Sequence, residues 1–141
     1  MTGMNNSLDN IIREQLIAAP EVVIVGHIRP DGDAVGSMLG LAHALRAKGK
    51  HVDCVLQDGM PAKYAFLPGA EEVLKTVPQP CGYLIVVDSS DIQRTGSVLD
   101  GIQAPDLVID HHNTHDAFGK IDYVEPETEA TALILAEKLP C

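Results

Sequence analysis

Three hydrophobic runs of the chain each end in a cluster of acidic or histidine side chains. The runs are VVIVG at residues 22–26, LIVV at 84–87 and LVI at 107–109, and they lead into HIRPDGD, DSSD and DHH respectively. Continuous β-branched runs are typical of strands buried on both faces, as in a parallel sheet. Ligands of open parallel sheets bind beyond the carboxyl ends of the strands. The pattern therefore predicts that the three clusters meet at one edge of a parallel sheet.

The segments between these runs predict the rest of the fold. Apolar residues recur at helical spacing over residues 34–48, and a strand is predicted over 51–56, so the chain contains a strand, helix, strand unit with parallel strands. Residues 8–16 predict a short helix that stops at Pro20, residues 119–124 a further edge element and residues 128–139 a helix. Prolines limit residues 57–80 to a short helix near 62–66 and a short strand near 73–74, and a helical stretch is predicted near 92–99. The predicted class is α/β, a doubly wound parallel β-sheet flanked by helices.

Charge and cysteine content restrict the class of function. The formal net charge of −10 disfavours binding of long nucleic acids through clustered Lys and Arg, yet a divalent metal on an acidic site would still attract a phosphorylated substrate. The three cysteines are odd in number and lack C-x-x-C spacing, so neither a zinc knuckle nor a disulfide framework is expected. No apolar run approaches the roughly 18 residues that span a bilayer, and the first residues do not resemble a signal peptide. We therefore expect a cytoplasmic protein without membrane association.

The first cluster combines one imidazole and two carboxylates in the spacing His27-x-x-x-Asp31-x-Asp33. The Pro-Asp-Gly turn at 30–32 lets side chains two residues apart face one site. Oxygen and nitrogen ligands without thiolate suit manganese, magnesium, zinc or iron. Asp33 is also the predicted N-cap of the following helix. Arg29, in the same loop, is either a residue that steers a phosphate or an ordinary solvated side chain.

The second and third clusters add further carboxylates and imidazoles. Asp88 directly follows its strand, as a carboxylate bridging two metals would, although an Asp that merely begins a turn would look the same. Asp91 is interpreted as a helix N-cap. Adjacent side chains of extended backbone point to opposite sides, so we expect one histidine of Asp110-His111-His112 to bind metal and the other to contact a phosphate oxygen or leaving group, with Asp110 orienting an imidazole. The remaining histidines are not expected to be ligands: His43, His51 and His115.

The three clusters together resemble the first three motifs of the DHH phosphoesterase superfamily, in the order His27-x-x-x-Asp31-x-Asp33, Asp88 and Asp110-His111-His112. The sequence is most similar to the oligoribonuclease and phosphoadenosine-phosphate phosphatase branch of that superfamily, which is related to RecJ exonucleases. The segments that carry this similarity are GHIRPDGDAVGS at 26–37, DSSDIQR at 88–94, VEP at 124–126 and ATA at 130–132. The resemblance covers about residues 20–139.

This resemblance implies a hydrolase with two manganese ions, for which magnesium or another divalent ion could substitute. A hydroxide held between the ions would attack phosphorus in line. The implied ligands are His27, Asp31 and Asp88 on one ion and Asp33, Asp88 and His111 on the other. The implied catalytic residues are Asp88, Asp110 and His112; His112 would face the scissile phosphate, and Arg29 is the second candidate for substrate binding.

The implied substrates are short single-stranded oligoribonucleotides, nucleoside 3′,5′-bisphosphates or cyclic dinucleotides. Family members also carry a fourth acidic motif and a glycine-rich second domain, and neither is found in this sequence. We therefore expect an N-terminal helix packing on the domain (1–19), and a DHH catalytic domain truncated before the fourth motif (20–141), without the C-terminal substrate-binding domain. Such a fragment would be weakly active or inactive alone, and the full-length protein could form a homodimer.

Two other functions fit the same residues. A manganese inorganic pyrophosphatase shares the first three motifs and would release phosphate from pyrophosphate. A non-catalytic module that binds metal or nucleotide for regulation would keep the ligands without turnover.

Overall fold

The structure is a computed structural model that describes residues 11–12, 14–89, 91–102, 104–110 and 117–124. Five strands form one sheet in the spatial order β2-β1-β3-β4-β5, and every neighbouring pair is parallel. The predicted α/β class and parallel sheet are confirmed, as is the edge element predicted over 119–124, which forms a strand at the edge of the sheet. The strands are β1 (Glu21–Val25), β2 (His51–Val55), β3 (Tyr83–Val87), β4 (Leu107–Asp110) and β5 (Ile121–Val124).

One long helix, α1 (Gly32–Arg46), connects β1 to β2. The prediction that Asp33 caps this helix is wrong. The N-cap is Asp31, whose side chain accepts a hydrogen bond from the Ala34 amide, so the helix begins two residues earlier than predicted. After the helix, Gly49 has a φ of +85°, which glycine adopts without a steric penalty.

The core lies on both faces of the sheet, because successive strand residues point in opposite directions. One face packs against α1 and against Leu16 of the N-terminal helical residues 14–18. The opposite face packs against Val77 and Leu99, which belong to irregular segments. Each Val or Ile that is fully buried stabilises the fold by roughly 1.5–3 kcal/mol relative to exposure. Residues with no exposed surface in these layers include Ile24, Val25, Ile85, Val86, Leu107 and Val108.

The other connections are short and irregular. Single 3-10 turns occur at Ala62–Tyr64, Ala70–Glu72 and Ile92–Thr95, and Leu74 forms an isolated parallel bridge with Val55. The first and last of these turns and the bridge confirm the short elements predicted near 62–66, 92–99 and 73–74, although both turns are shorter than predicted; the turn at Ala70–Glu72 was not predicted. The predicted helix at 128–139 lies outside the described residues. Within the described part of the chain, no helix has the length and apolar character needed to cross a membrane.

Candidate metal centre

The candidate site lies where the direction of the sheet connections reverses. From β1 the chain passes through α1 to β2, whereas β3, on the other side of β1, leads on to β4 and β5. In doubly wound sheets, ligands bind at this reversal, beyond the carboxyl ends of the two central strands. His27 follows the last residue of β1 by two positions, and Asp88 directly follows β3. The topology therefore brings together two side chains that are 61 residues apart in sequence.

The loop after β1 determines the orientation of His27. The Gly26 amide donates a hydrogen bond to the Val55 carbonyl at 3.1 Å, and a Cβ on Gly26 would lie 2.7 Å from the Leu56 side chain, so glycine permits this close approach. The imidazole is buried, and its Nδ1 lies 2.6 Å from the Ile28 carbonyl oxygen. A carbonyl oxygen can only accept, so Nδ1 carries a proton. Nε2 is therefore the atom of His27 that can bind a metal.

Asp31 approaches the same point from the start of α1. Its Oδ1 accepts the Ala34 amide hydrogen at 2.9 Å and lies 3.8 Å from His27 Nε2. A carboxylate at a helix N-cap is stabilised by the free amides and by the helix dipole. Capping fixes the direction of the Asp31 side chain. Because this side chain is 64% exposed, it also stays accessible to a metal ion from solvent.

Asp88 supplies the second carboxylate from the end of β3. Its backbone is left-handed, with φ +57°, and its amide donates to the Ile109 carbonyl of β4 at 2.9 Å. The left-handed region is one that Asp tolerates better than most residues. The side chain is buried, with Oδ2 3.2 Å from His27 Nε2. A carboxylate buried in this way requires a charged or hydrogen-bonding partner.

His27, Asp31 and Asp88 form a compact group whose ligand atoms all lie within 4.8 Å of one another. A divalent ion with bonds of about 2.1 Å holds adjacent ligand atoms about 3 Å apart. The separations of 3.2 and 3.8 Å from His27 Nε2 to the two carboxylates are close to that requirement. One imidazole and two carboxylates also match the preference of manganese, magnesium, zinc or iron. Spacing and donor types therefore both fit a divalent metal.

The charges of the group act on the imidazole of His27. The hydrogen bond to Asp88 raises the pKa of His27 above its usual value, and it outweighs the opposing effect of burial. The Ile28 carbonyl and the negative charges of Asp88 and Asp31 act in the same direction. Because a proton and a metal ion compete for Nε2, these carboxylates favour a cation of either kind at this position.

The structure does not describe every residue of the predicted site. Asp110 is the last residue of β4 and is completely buried, on the strand that pairs with β3. The Asp33 side chain, His111, His112 and His115 lie outside the described part, so their roles stay predictions. The structure thus brings together the three residues that the family resemblance assigns to one ion, and Asp110 lies one strand away.

Two further histidines lie apart from the metal group, as expected. His43 is exposed on α1, with Nε2 3.0 Å from the Pro68 carbonyl oxygen. His51 is exposed on β2 and contacts Asp53. Arg29 is exposed in the loop between His27 and Asp31, and the role of its guanidinium group stays a prediction.

A cavity of about 740 Å³ lies on the face opposite α1, and it extends from the amino ends of β3 and β4 to Gln57 and Ser97. Its walls include Cys81, Leu84, Asp106 and Lys120, and none of the three metal-group residues lines it. The cavity and the metal group are therefore separate features of the described part of the chain.

The sequence reasoning passed over the residues after β2. Asp58 Oδ2 accepts a hydrogen bond from the Arg29 amide, and Gln57 Oε1 accepts one from Ser97. The signal was available, because residues 57 and 58 follow the carboxyl end of a strand as the three recognised clusters do. Asp58 thus contacts the loop that holds His27 and Asp31, and Gln57 contacts the segment after β3.

Most of the chain matches a known family. The model of the DHH family N-terminal domain matches residues 21–139. The chain therefore belongs to the DHH family, a family of metal-dependent phosphoesterases.

The relatives refine this placement. The chain is 37% identical over 119 residues to the "Bifunctional oligoribonuclease and PAP phosphatase NrnA" of Thermus thermophilus, which confirms the predicted branch of the family. The match covers 82% of this chain but 35% of that relative, so the chain spans about a third of its length.

Two solved structures share the fold. An exopolyphosphatase-related protein from Bacteroides fragilis superposes with a TM-score of 0.80 at 23% identity, covering 92% of this chain and 42% of that one. A putative family II inorganic pyrophosphatase from Methanococcus jannaschii gives a TM-score of 0.53 at 24% identity, covering 82% of this chain and 38% of that one. At these identities the similarity supports the fold alone.

Proposed function

We propose that the chain is the metal-dependent catalytic domain of a phosphoesterase that hydrolyses short oligoribonucleotides or small nucleotides. The convergence of His27, Asp31 and Asp88 at the switch point of a DHH-family fold carries this proposal. The similarity to a relative named as an oligoribonuclease and PAP phosphatase supports the choice of substrate. The net charge of −10 favours short substrates, because no excess of basic residues is available to neutralise a long phosphate backbone.

Each side chain of the site would have its own role in metal or substrate binding. His27 Nε2, Asp31 and Asp88 would hold one divalent ion, with manganese as the proposed metal, and Asp88 would also face a second ion held with Asp33 and His111. Bound divalent ions of this kind lower the pKa of water and neutralise charge on a phosphate. The Nδ1 hydrogen bond to Ile28 keeps the His27 ring oriented, and the helix cap keeps Asp31 oriented. Asp110 would orient an imidazole of the DHH triplet, His112 would contact the scissile phosphate, and Arg29 would steer the substrate.

The domain assignment is also a proposal. Residues 20–141 would form the catalytic domain and residues 1–19 a helix packed on it. Rapid turnover would require a fourth acidic ligand and a second, substrate-binding domain, as the family resemblance implies. We therefore expect slow hydrolysis by the 141-residue chain alone.

The test is hydrolysis of three substrates at high enzyme concentration with Mn²⁺: a short 5′-labelled RNA, adenosine 3′,5′-bisphosphate and pyrophosphate. We expect slow, Mn²⁺-dependent release of mononucleotide from RNA or of phosphate from the bisphosphate, abolished in Asp31→Ala. Faster hydrolysis of pyrophosphate would instead favour the pyrophosphatase function. If none of the three is hydrolysed although Mn²⁺ binds, and the full-length protein does not hydrolyse them either, the chain would be better described as a binding module. Rapid turnover by this chain alone would contradict the domain assignment.

A further inference from the structure

We infer that Asp58, with support from Gln57, is a positioning residue that holds the loop carrying His27 and Asp31 in its metal-binding geometry. This inference rests on the metal site proposed above. It assigns a role to the segment after β2, which supplies no ligand to the described metal group.

The loop between the two ligands contains an unfavourable backbone conformation. Arg29 has a φ of +50°, in the left-handed region that costs a non-glycine residue about 1–2 kcal/mol. Arg29 also precedes Pro30, and a residue before proline favours extended backbone, which the conformation of Arg29 is not. Such conformations persist only where the surrounding structure determines them, and they cluster at functional sites. The contacts that hold Arg29 are therefore candidates for positioning the ligands on either side of it.

Two hydrogen bonds hold this loop from opposite sides. The Arg29 amide donates to Asp58 Oδ2 at 3.1 Å, from the segment after β2. The preceding amide, of Ile28, donates to the Arg94 carbonyl at 2.6 Å, from the segment after β3. Because β1 lies between β2 and β3 in the sheet, the loop after β1 is hydrogen-bonded to the segments that follow both neighbouring strands.

The segments after β2 and after β3 are also hydrogen-bonded to each other. Gln57 Oε1 accepts hydrogen bonds from the Ser97 amide and, at 2.9 Å, from the Ser97 hydroxyl. Gly96 has a φ of +77°, and a Cβ there would collide with the Gln57 side chain. The segments at 57–58 and 94–97 thus form a closed frame around the His27 loop. Within this frame, the Asp58 side chain contacts the His27 loop directly, through its hydrogen bond from the Arg29 amide.

The Asp58 side chain is exposed at the surface, so its replacement removes a contact without opening a cavity in the core. Asp58→Ala removes both the acceptor and the negative charge. Asp58→Asn keeps an acceptor oxygen and removes the charge. Asp100→Ala is the matched control, because Asp100 is an exposed carboxylate whose side chain makes no hydrogen bond or ion pair with the described residues.

The experiment measures Mn²⁺ affinity of each variant from the electron paramagnetic resonance signal of free Mn²⁺, with amide hydrogen exchange of Arg29 measured by NMR without metal. We expect Asp58→Ala to weaken binding about tenfold, the range found for groups that orient metal ligands. We expect its Arg29 amide to exchange about tenfold faster, as for loss of one hydrogen bond. Asp58→Asn should restore both values to within about threefold, and Asp100→Ala should match the unsubstituted chain.

The outcomes separate this inference from the proposed function. Unchanged affinity in Asp58→Ala, with affinity lost in His27→Ala, would overturn the role of Asp58 and leave the metal site intact. An equal loss in Asp58→Asn and Asp58→Ala would assign the effect to charge rather than to positioning, and would also overturn it. Absence of Mn²⁺ binding by the unsubstituted chain, or binding unaffected by His27→Ala, would overturn the proposed metal site itself.

Discussion

The same pair of side chains occurs in two regions of the molecule with opposite surroundings. In both His27–Asp88 and His51–Asp53, histidine Nε2 lies 3.2 Å from an aspartate Oδ2. The first pair is at the carboxyl edge of the sheet, with 3% and 2% of the two side chains exposed. The second pair is on edge strand β2, with 68% and 27% exposed.

The difference shows that pair geometry alone does not make a site. His51 and Asp53 are two residues apart on one strand, so their contact follows from the pleat of the strand and involves nothing else in the fold. His27 and Asp88 come from different strands and are joined by Asp31 from a helix start, so three elements converge. Burial of His27 and Asp88 strengthens the electrostatic coupling between them, whereas water and salt weaken it at the exposed pair.

The largest expected effect is on metal binding. Asp88→Ala should weaken Mn²⁺ affinity by more than about 100-fold, because even a group that only orients a ligand contributes 10- to 100-fold. The matched control is Asp53→Ala, which removes the same residue type from a histidine at the same distance and should leave affinity unchanged. Titration of both variants followed by the free Mn²⁺ signal tests this, and similar affinities for the two variants would remove the distinction between the regions.

The next effect is on the stability of the metal-free chain. The pKa of His27 is raised in the folded state, so its interaction with Asp88 stabilises the fold fully below the usual value near 6.5 and is lost as pH rises through the folded pKa. Asp88→Ala should therefore lower the free energy of unfolding by about 2 kcal/mol at pH 5.5 and by less at pH 8.5. Urea unfolding at the two pH values in the presence of a chelator measures this, and a loss that does not depend on pH would contradict it.

The third effect is a dependence of Mn²⁺ affinity on pH. Because a proton and the metal compete for His27 Nε2, Mn²⁺ affinity should fall about tenfold for each pH unit below the folded pKa of that imidazole. Titrations between pH 5.5 and 8.5 give this slope for the unsubstituted chain. A flat profile would mean that His27 does not bind the ion.

The smallest effect should come from the exposed pair. His51→Ala should change the free energy of unfolding by less than about 1 kcal/mol, since exposed ion pairs contribute little. Its Mn²⁺ affinity should equal that of the unsubstituted chain. Thermal unfolding and metal titration of this variant complete the comparison, and a large loss of either property would show that the edge of β2 has a role beyond its own strand.

Much of the fold followed from local patterns in the sequence. The β-branched runs ending at residues 25, 87 and 109 predicted buried parallel strands, because neither face of such a strand is available to polar residues. The common edge of the clusters then followed from the parallel direction of the strands. Asp91 was also predicted correctly as an N-cap, since it accepts the Arg94 amide hydrogen at 3.1 Å within its own turn.

Local sequence patterns gave a wrong prediction where two residues were equally good candidates for the same N-cap. Asp31 and Asp33 both lie at the start of α1 and both belong to a residue type that favours the N-cap, and only the path of the loop after β1 selects Asp31. The role of Asp58 was missed for a related reason. Its partner is a backbone amide 29 residues away, and an amide carries no signature in the sequence.

The sequence by itself determined the parallel α/β class, the edge of the sheet where polar clusters gather and the family to which the chain belongs. Tertiary structure decided which of those polar groups touch: it joined His27, Asp31 and Asp88, placed Asp58 against the loop between them and left His51 at the surface. The physical reason is the range of the forces involved. Hydrophobic periodicity acts over a few neighbouring residues and can be read from their order, whereas a hydrogen bond or ligand contact requires agreement within a few tenths of an ångström between segments whose separation is set only by strand order and register.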